Sequence, residues 1–367
     1  MKISFFIPNL KSGGAENVLI VILNELVERY PQFKFHLCIC DEGSVGLDRI
    51  HTRVRIINFS KSKLRYCLKD LIIYFKNESP EYFISSLDYT NILASFAHKC
   101  AFVNTKLILW EHSVTSIHSI NTISKYLIVR YILINYFYNR ANFIICVSKG
   151  VLNDLNHSFN IKRNKLLLLY NPIDHDSLNQ LSSVTDFKSD SIIKKGDYIL
   201  SIGRLVQAKN LDLLIKAFNK VRSIVKYKLI IMGAGPEKSN LEKLIEKLDL
   251  SNDVYLIGHF SNPYFIIKRS EAVISSSKWE GLPLALIESL ALGKYIISTD
   301  CPYGPREILD DGRYGKLVPP NNVELLSDAI KDIPFNIINI DKKRLIDRSN
   351  YFSLDRALNK FDKIFKI

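Results

Sequence analysis

Two glutamates, Glu280 and Glu288, stand with seven residues between them in KWEGLPLALIESLALGK (278–294), on either side of a Gly-Leu-Pro turn. A carboxylate accepts hydrogen bonds from hydroxyls, so a pair at the entry and on the flank of a short apolar helix suits a polyol such as a sugar or a ribose. Pro283 fits the first helical turn, where its missing N–H costs nothing. Gly281 allows close backbone approach, and free amides around Leu282 and Pro283 favour phosphate. The plain alternative is two exposed glutamates around a helix start. Upstream, SIGRLVQAKN (201–210) places Gly203 at a strand end, Arg204 after it and Lys209 at a helix start. Two such cations can clamp a diphosphate, and a lysine in a first helical turn opposes the helix dipole unless an anion is near. Otherwise they are two surface cations.

Three further stretches sit where strands should end. PNLKSGGAEN (8–17) carries Gly13 and Gly14 ahead of a helix: either amides presented to an anion, or a tight turn needing positive φ. LWEHS (109–113) ends an apolar strand in Glu111-His112, and a histidine there can donate or accept near neutral pH, or be satisfied by its neighbours. CPYGPREIL (301–309) reads as a rigid turn feeding a helix.

The elements that must position these residues alternate short β-branched or aromatic runs with amphipathic helices, the pattern of parallel α/β sheets. Strands are predicted at 2–8, 33–40, 53–58, 82–87, 106–111, 142–148 and 165–170, with helices at 15–30, 63–77, 90–99, 121–138 and 148–157. After a polar, turn-rich stretch the pattern restarts, with strands at 198–202, 227–232, 253–257, 272–276, 295–299 and 315–318. Helices fit 209–224, 236–249, 283–292, 322–331 and a tail from 353 to 366. This divides the chain into a domain over 1–190, a linker at about 171–195, a domain over 196–350 and a terminal helix within 351–367. Ligands in open α/β sheets bind at the carboxyl ends of strands, so a cleft between two such domains is the expected site.

At 367 residues, 47% hydrophobic and 24% charged, the chain is globular and suits two domains. Its net charge of +13 is uneven. Arg49 to Lys76 holds eight basic residues and one acidic, and Lys99 to Lys165 nine and two. A basic amino-terminal half suits a polyanionic partner such as a phosphorylated substrate or an anionic lipid surface, or is simply a solvated face. The six cysteines lie scattered in apolar runs and read as reduced core residues of a cytosolic protein. The amino terminus does not read as a signal peptide, and no transmembrane helix is predicted. GAG (233–235) lacks the third glycine of a dinucleotide loop, and DHD (174–176), a possible metal pair, falls in the linker. No P-loop, serine-hydrolase elbow or zinc-protease motif occurs, and no interleaved basic–aromatic pattern points to nucleic acid.

The segments SIGRLVQAKNLDLLIKAF, LIIMGAGPEKSNLEKLI, VYLIGHF and SSSKWEGLPLALIESLALGKYIISTD, with GGAE, CVSKGV and NPID, resemble retaining glycosyltransferases of family four along essentially the whole chain. The resemblance implies a GT-B architecture: two Rossmann-like doubly wound domains facing a central cleft, with the carboxyl-terminal helix crossing back to the first. By position it implies that Glu288 binds the nucleotide ribose and that Glu280 contacts sugar hydroxyls. Arg204 and Lys209 would hold the diphosphate, with Gly13 and Gly14 on the other wall. His112 would lie near donor sugar and acceptor, and Gly203, Gly281, Leu282 and Pro283 would line the donor pocket. It further implies a UDP-sugar donor (GalNAc or Gal first, then Glc), no metal, and a glycan acceptor on a polyprenyl diphosphate. Such an enzyme would work in the cytoplasm, peripherally on the inner face of the plasma membrane, in surface polysaccharide or glycan assembly. Alternatives are a non-catalytic nucleotide-sugar-binding subunit and a GT-B epimerase or phosphorylase.

Overall fold

The computed structural model describes residues 1–11, 13–41, 46–116, 124–184 and 197–366, the side chains of 124–127 excepted. The predicted helix start at 121–123 and the stretch 185–196 lie outside these. The chain divides into two compact units, residues 1–172 with 354–367, and residues 173–353.

In the first unit seven short runs form strands, most of them apolar on both sides, which a strand tolerates when both sheet faces are covered. They are β1 (Lys2–Phe6), β2 (Lys34–Ile39), β3 (Val54–Asn58), β4 (Tyr82–Ser86), β5 (Lys106–Glu111), β6 (Phe143–Cys146) and β7 (Leu166–Leu168). Every pairing is parallel, in the order β3-β2-β1-β4-β5-β6-β7, with Phe5 in register with Leu37 on one side and Ile84 on the other. Parallel neighbours require a crossover, and helices such as Gly14–Arg29, Leu68–Glu78, Asp88–Ala101, Ser124–Tyr138 and Lys149–Ser158 supply it. The helix Leu354–Phe365 completes this unit. Its buried stripe, Ala357, Leu358, Phe361, Ile364 and Phe365, has helical spacing. Phe361 meets Trp110 edge-on at 6.0 Å and Phe365 meets Tyr82 at 5.0 Å, while Asp362 pairs with Arg29 at 2.6 Å.

The second unit repeats the logic with β8 (Tyr198–Ile202), β9 (Lys228–Met232), β10 (Val254–Gly258), β11 (Ala272–Ser275), β12 (Tyr295–Thr299) and β13 (Lys316–Val318). Their order, β10-β9-β8-β11-β12-β13, is that of a Rossmann sheet and reverses between β8 and β11. A core of buried aliphatics and two aromatics, including Leu214, Phe218, Ile231, Tyr295 and Ile297, fills the space under the helix Leu211–Val221.

Several expectations are corrected. Residues 173–184 are not a linker: they pack within the second unit through the helix His175–Leu181, whose Leu181 carbonyl accepts from Asn262 at 2.9 Å. Asp174 caps that helix, accepting from the amides of Asp176 and Ser177, so DHD is a capping motif. Short helices at Tyr264–Arg269, Ile333–Asn339 and Lys342–Ser349 are not predicted by the sequence pattern. All six cysteines are free thiols, five of them buried.

Candidate functional site

The second unit builds its site at the point where its strand order reverses. The carboxyl ends of β8 and β11 diverge there and leave a small pocket lined by Ser201, Gly203, Lys209, Leu211 and Ser275 to Ser277. Gly203 is needed for its shape: at φ 155° a β-carbon would meet the Lys209 stem at 2.9 Å. Behind it, a β-carbon on Gly233 would lie 1.9 Å from the Gly203 carbonyl, so the two glycines let adjacent loops stack backbone to backbone. Lys209 is not in a first helical turn, as its sequence position suggests. It ends the 3-10 turn Gln207–Lys209, two residues before the helix Leu211–Val221, and its side chain reaches back into the pocket.

Lys209 Nζ donates to Glu280 Oε1 at 2.5 Å, and Ser277 Oγ donates to the same oxygen at 2.6 Å. The pair is largely shielded, with side-chain exposures of 24% for Lys209 and 12% for Glu280. Because both contacts fall on one oxygen, Oε2 of Glu280 has no partner among the described residues. The backbone fixes this geometry. Lys278 N bonds to Ala208 O at 2.8 Å and Ser276 Oγ to Lys209 O at 2.9 Å, lacing the two loops together. On the other side, Glu280 N bonds to Pro302 O and Tyr303 N to Glu280 O, at 2.8 and 2.9 Å. The stretch CPYGPREIL therefore pins Glu280 from behind.

Pro283 is the residue before the helix Leu284–Ala291, not in its first turn, and no side chain caps that helix start. Leu282 and Pro283 are buried, the latter within 2.7 Å of where a Gly304 β-carbon would be, so this wall can offer a ligand only backbone. Gly281 is buried with them. Glu288, part-buried on the flank of the same helix, accepts from Tyr264 OH at 3.1 Å. Burial pushes its carboxyl up to about 7, opposed by the Tyr264 hydrogen bond. Arg204 is exposed beside Gly203. Sequence reasoning missed Ser277, which steadies Glu280, and Tyr264, which steadies Glu288. Their signals are the serine run 275–277 at a strand end and the Asn-Pro-Tyr turn at 262–264.

In the first unit, Gly13 precedes the helix Gly14–Arg29 with an extended backbone, and neither Gly13 nor Gly14 has positive φ. A β-carbon on Gly13 would come within 2.3 Å of the Glu16 carboxylate folded over it, a flexible side-chain end that can move aside. His112 follows β5. Both ring nitrogens are buried without a partner among the described residues, and burial pulls its pKa down to about 3, so it is neutral near pH 7 rather than poised to titrate there. Next to it, fully buried Glu111 accepts from Asn91 Nδ2 at 2.8 Å and from Tyr138 OH. Burial, with the nearby Asp88 charge, pushes its carboxyl up to about 8. Arg130, paired with Asp88, ties the helix Ser124–Tyr138 to this cluster.

Two doubly wound units, one with a lysine–carboxylate–serine cluster at its switch point, are the architecture of GT-B transferases. A model of "Glycosyltransferase Family 4" matches residues 12–177, and one of "Glycosyl transferases group 1" matches residues 183–336. The chain is 30% identical over 343 residues to a Campylobacter jejuni N-acetylgalactosamine-N,N'-diacetylbacillosaminyl-diphospho-undecaprenol 4-alpha-N-acetylgalactosaminyltransferase, covering 90% of this chain and 89% of that protein. It is 36% identical over 249 residues to an uncharacterised glycosyltransferase of Methanocaldococcus jannaschii, covering 63% of this chain and 60% of that one. The crystal structure of Anabaena HepE in complex with UDP-glucose shares the fold, with a TM-score of 0.82 at 16% identity over 100% of this chain and 99% of that one. The chain belongs to the family-4 glycosyltransferases and has the GT-B fold. Among the described residues no helix is long and apolar enough to cross a membrane, and no group of three or more His, Cys, Asp or Glu could hold a metal ion.

Proposed function

We propose that the chain is a retaining glycosyltransferase moving a hexose or N-acetylhexosamine from a UDP-sugar to a glycan carried on a polyprenyl diphosphate. GalNAc or Gal is the lead sugar, then Glc. The observation that carries this reading is the Lys209–Glu280–Ser277 cluster at the strand-order reversal, with one carboxylate oxygen left for a ligand. A lysine beside a carboxylate suits a ligand that presents phosphate and hydroxyl side by side, as a sugar diphosphate does. The Campylobacter relative's name specifies an N-acetylgalactosaminyl transfer onto a diphospho-undecaprenol-linked acceptor, and the Anabaena structure holds UDP-glucose. Both support the same substrate classes here.

Each residue then has a part. Glu288 takes the ribose hydroxyls and Glu280 Oε2 a sugar hydroxyl. Arg204, Lys209 and the uncapped amides after Pro283 face the diphosphate, and the Gly13 and Gly14 amides of the first unit can offer N–H groups to an anion. Breaking the anomeric C–O bond leaves charge on the departing diphosphate, and these fixed cations and amides stabilise it as it develops. The acceptor hydroxyl attacks from the face the diphosphate leaves, and its proton passes to a departing phosphate oxygen. No metal is required in this scheme, and activity in excess chelator checks that point. His112, kept neutral, can offer one N–H and one lone pair to sugar hydroxyls, but not a cation.

The test is UDP release from a panel of UDP-sugars, with and without short-chain polyprenyl-diphosphate-linked saccharides. Acceptor-stimulated release from one donor, lost in Glu280→Ala, is expected. No release with any donor, while UDP still binds, would refute catalysis by this chain on these substrates.

A further inference from the structure

The helix Ser124–Tyr138 is turned the wrong way round for a water-soluble surface. Its buried side holds Arg130, Ile134, Phe137 and Tyr138, whereas Ile128, Val129 and Ile132 are 64%, 56% and 57% exposed. These three fall one, three and four residues apart, a single stripe opposite the buried one. The neighbouring helix Asp88–Ala101 adds Phe96, and just past its end Phe102 stands 92% exposed. Scattered apolar side chains are ordinary on a surface, but three exposed aliphatics on one helix face, beside a helix that adds two exposed phenylalanines, are not.

Its charge says what would cover it. Between Tyr89 and Asn153 the sequence has six lysines and arginines, of which Arg130 is buried and paired with Asp88, and one acidic residue, Glu111, which is fully buried. The carboxylates of the elements packed around the face are also engaged elsewhere. Asp88 pairs with Arg130, Asp70 with Lys61, and Glu78 with Lys2 and Arg55. Asp154 is buried and accepts from Ser116 N and Ser158 Oγ. At the end of the stripe, Tyr136 is gripped by two cations: Lys99 Nζ meets its hydroxyl at 2.6 Å and the Arg140 guanidinium lies 3.6 Å from its ring centre. Aliphatic stripe, tyrosine, then lysine and arginine is the sequence of environments met on going outward from acyl chains to anionic headgroups. A second copy of the same face would bring cation to cation, so self-association is disfavoured.

We infer that the Ile128–Val129–Ile132 stripe, with Phe96, Phe102, Lys99 and Arg140, docks on the surface of a bilayer containing anionic lipid, the apolar side chains entering the headgroup–acyl boundary. This deepens the proposed lipid-linked acceptor by naming the face that meets its membrane, and it is tested without donor or acceptor. A second basic segment, Lys61 to Lys76, serves as the control.

The experiment is co-flotation of the full chain with vesicles of phosphatidylcholine, with and without about 30 mol% phosphatidylglycerol, at about physiological ionic strength. Binding to the anionic vesicles is expected, reduced at least about ten-fold in Ile128→Ser/Ile132→Ser and by about five-fold for each of Lys99→Ala and Arg140→Ala. Lys63→Ala/Lys69→Ala should bind as the parent does. UDP binding, measured on every variant, reports that each is folded and that the donor reading stands or falls separately. The inference is overturned if the parent ignores anionic vesicles, if the stripe variants float undiminished, or if only Lys63→Ala/Lys69→Ala loses binding. It is equally overturned if sedimentation shows a lipid-independent dimer that Ile128→Ser/Ile132→Ser dissociates.

Discussion

If Glu288 grips the ribose through an ionised carboxylate, donor affinity must follow its titration. With its carboxyl at about 7, about 90% is ionised at pH 8 and about 10% at pH 6. When the binding-competent form is only a fraction of the protein, the apparent Kd rises by the inverse of that fraction, so affinity should weaken about ten-fold from pH 8 to pH 6. Glu288→Gln keeps the shape but removes the charge. A hydrogen bond to a charged group contributes about 1.5–3 kcal/mol, so at pH 8 this variant should bind about 10–150-fold more weakly. At pH 6 the gap should shrink to about 2–15-fold, because the parent carboxyl is then mostly protonated. Calorimetry with a UDP-sugar reads this cleanly, since its doubly esterified diphosphate does not titrate in the window. Tyr264→Phe, which removes a hydrogen bond to the carboxylate, should move the wild-type limb to higher pH. Parallel pH curves for parent and Glu288→Gln, or equal affinities at pH 8, would refute the argument.

Lys209→Met should leave Glu280 held by Ser277 alone and lower turnover by about 10²–10³; unchanged turnover would remove Lys209 from leaving-group stabilisation. Glu111 has a folded pKa raised to about 8, so the stability it contributes is full below the unfolded value and is lost as pH rises through the folded one. Thermal midpoints should therefore fall between about pH 5 and pH 9, and Glu111→Gln should flatten that slope; an equally steep slope in the variant would assign it to other groups. Phe361→Ala should cost about 3–5 kcal/mol in urea unfolding, because Phe361 is fully buried against Trp110; a loss under about 1 kcal/mol would mean the terminal helix is dispensable to that core.

The strands and most helices were legible because each is a local pattern: a doubly apolar run such as that of β2, or a helical stripe such as that of Leu211–Val221. The polar stretch after Asn171 misled because its few apolar residues, Ile173 and Leu178, are buried by partners far along the chain, including Phe352, whose carbonyl receives the Ile173 amide. At the site, the types and spacing of Glu280, Glu288 and Lys209 were informative. That Lys209 and Glu280 would be bonded was not, because the contact depends on two strand ends lying side by side. Burial of His112 was likewise invisible: its lowered pKa comes from the surroundings rather than from a sequence neighbour.

One unit is continuous in sequence and the other is not. Residues 173–353 can close on themselves as soon as they have left the ribosome, whereas the first sheet waits for residues 354–367. Until then the Trp110 and Tyr82 side chains that receive Phe361 and Phe365 stay uncovered. Synthesis thus leaves an apolar face open on a sheet formed early, the kind of surface that chaperones hold and that aggregates when synthesis stalls. The helix Leu354–Phe365 acts as a timer, and a nascent chain that lacks it would carry a finished second unit and a first one that cannot seal.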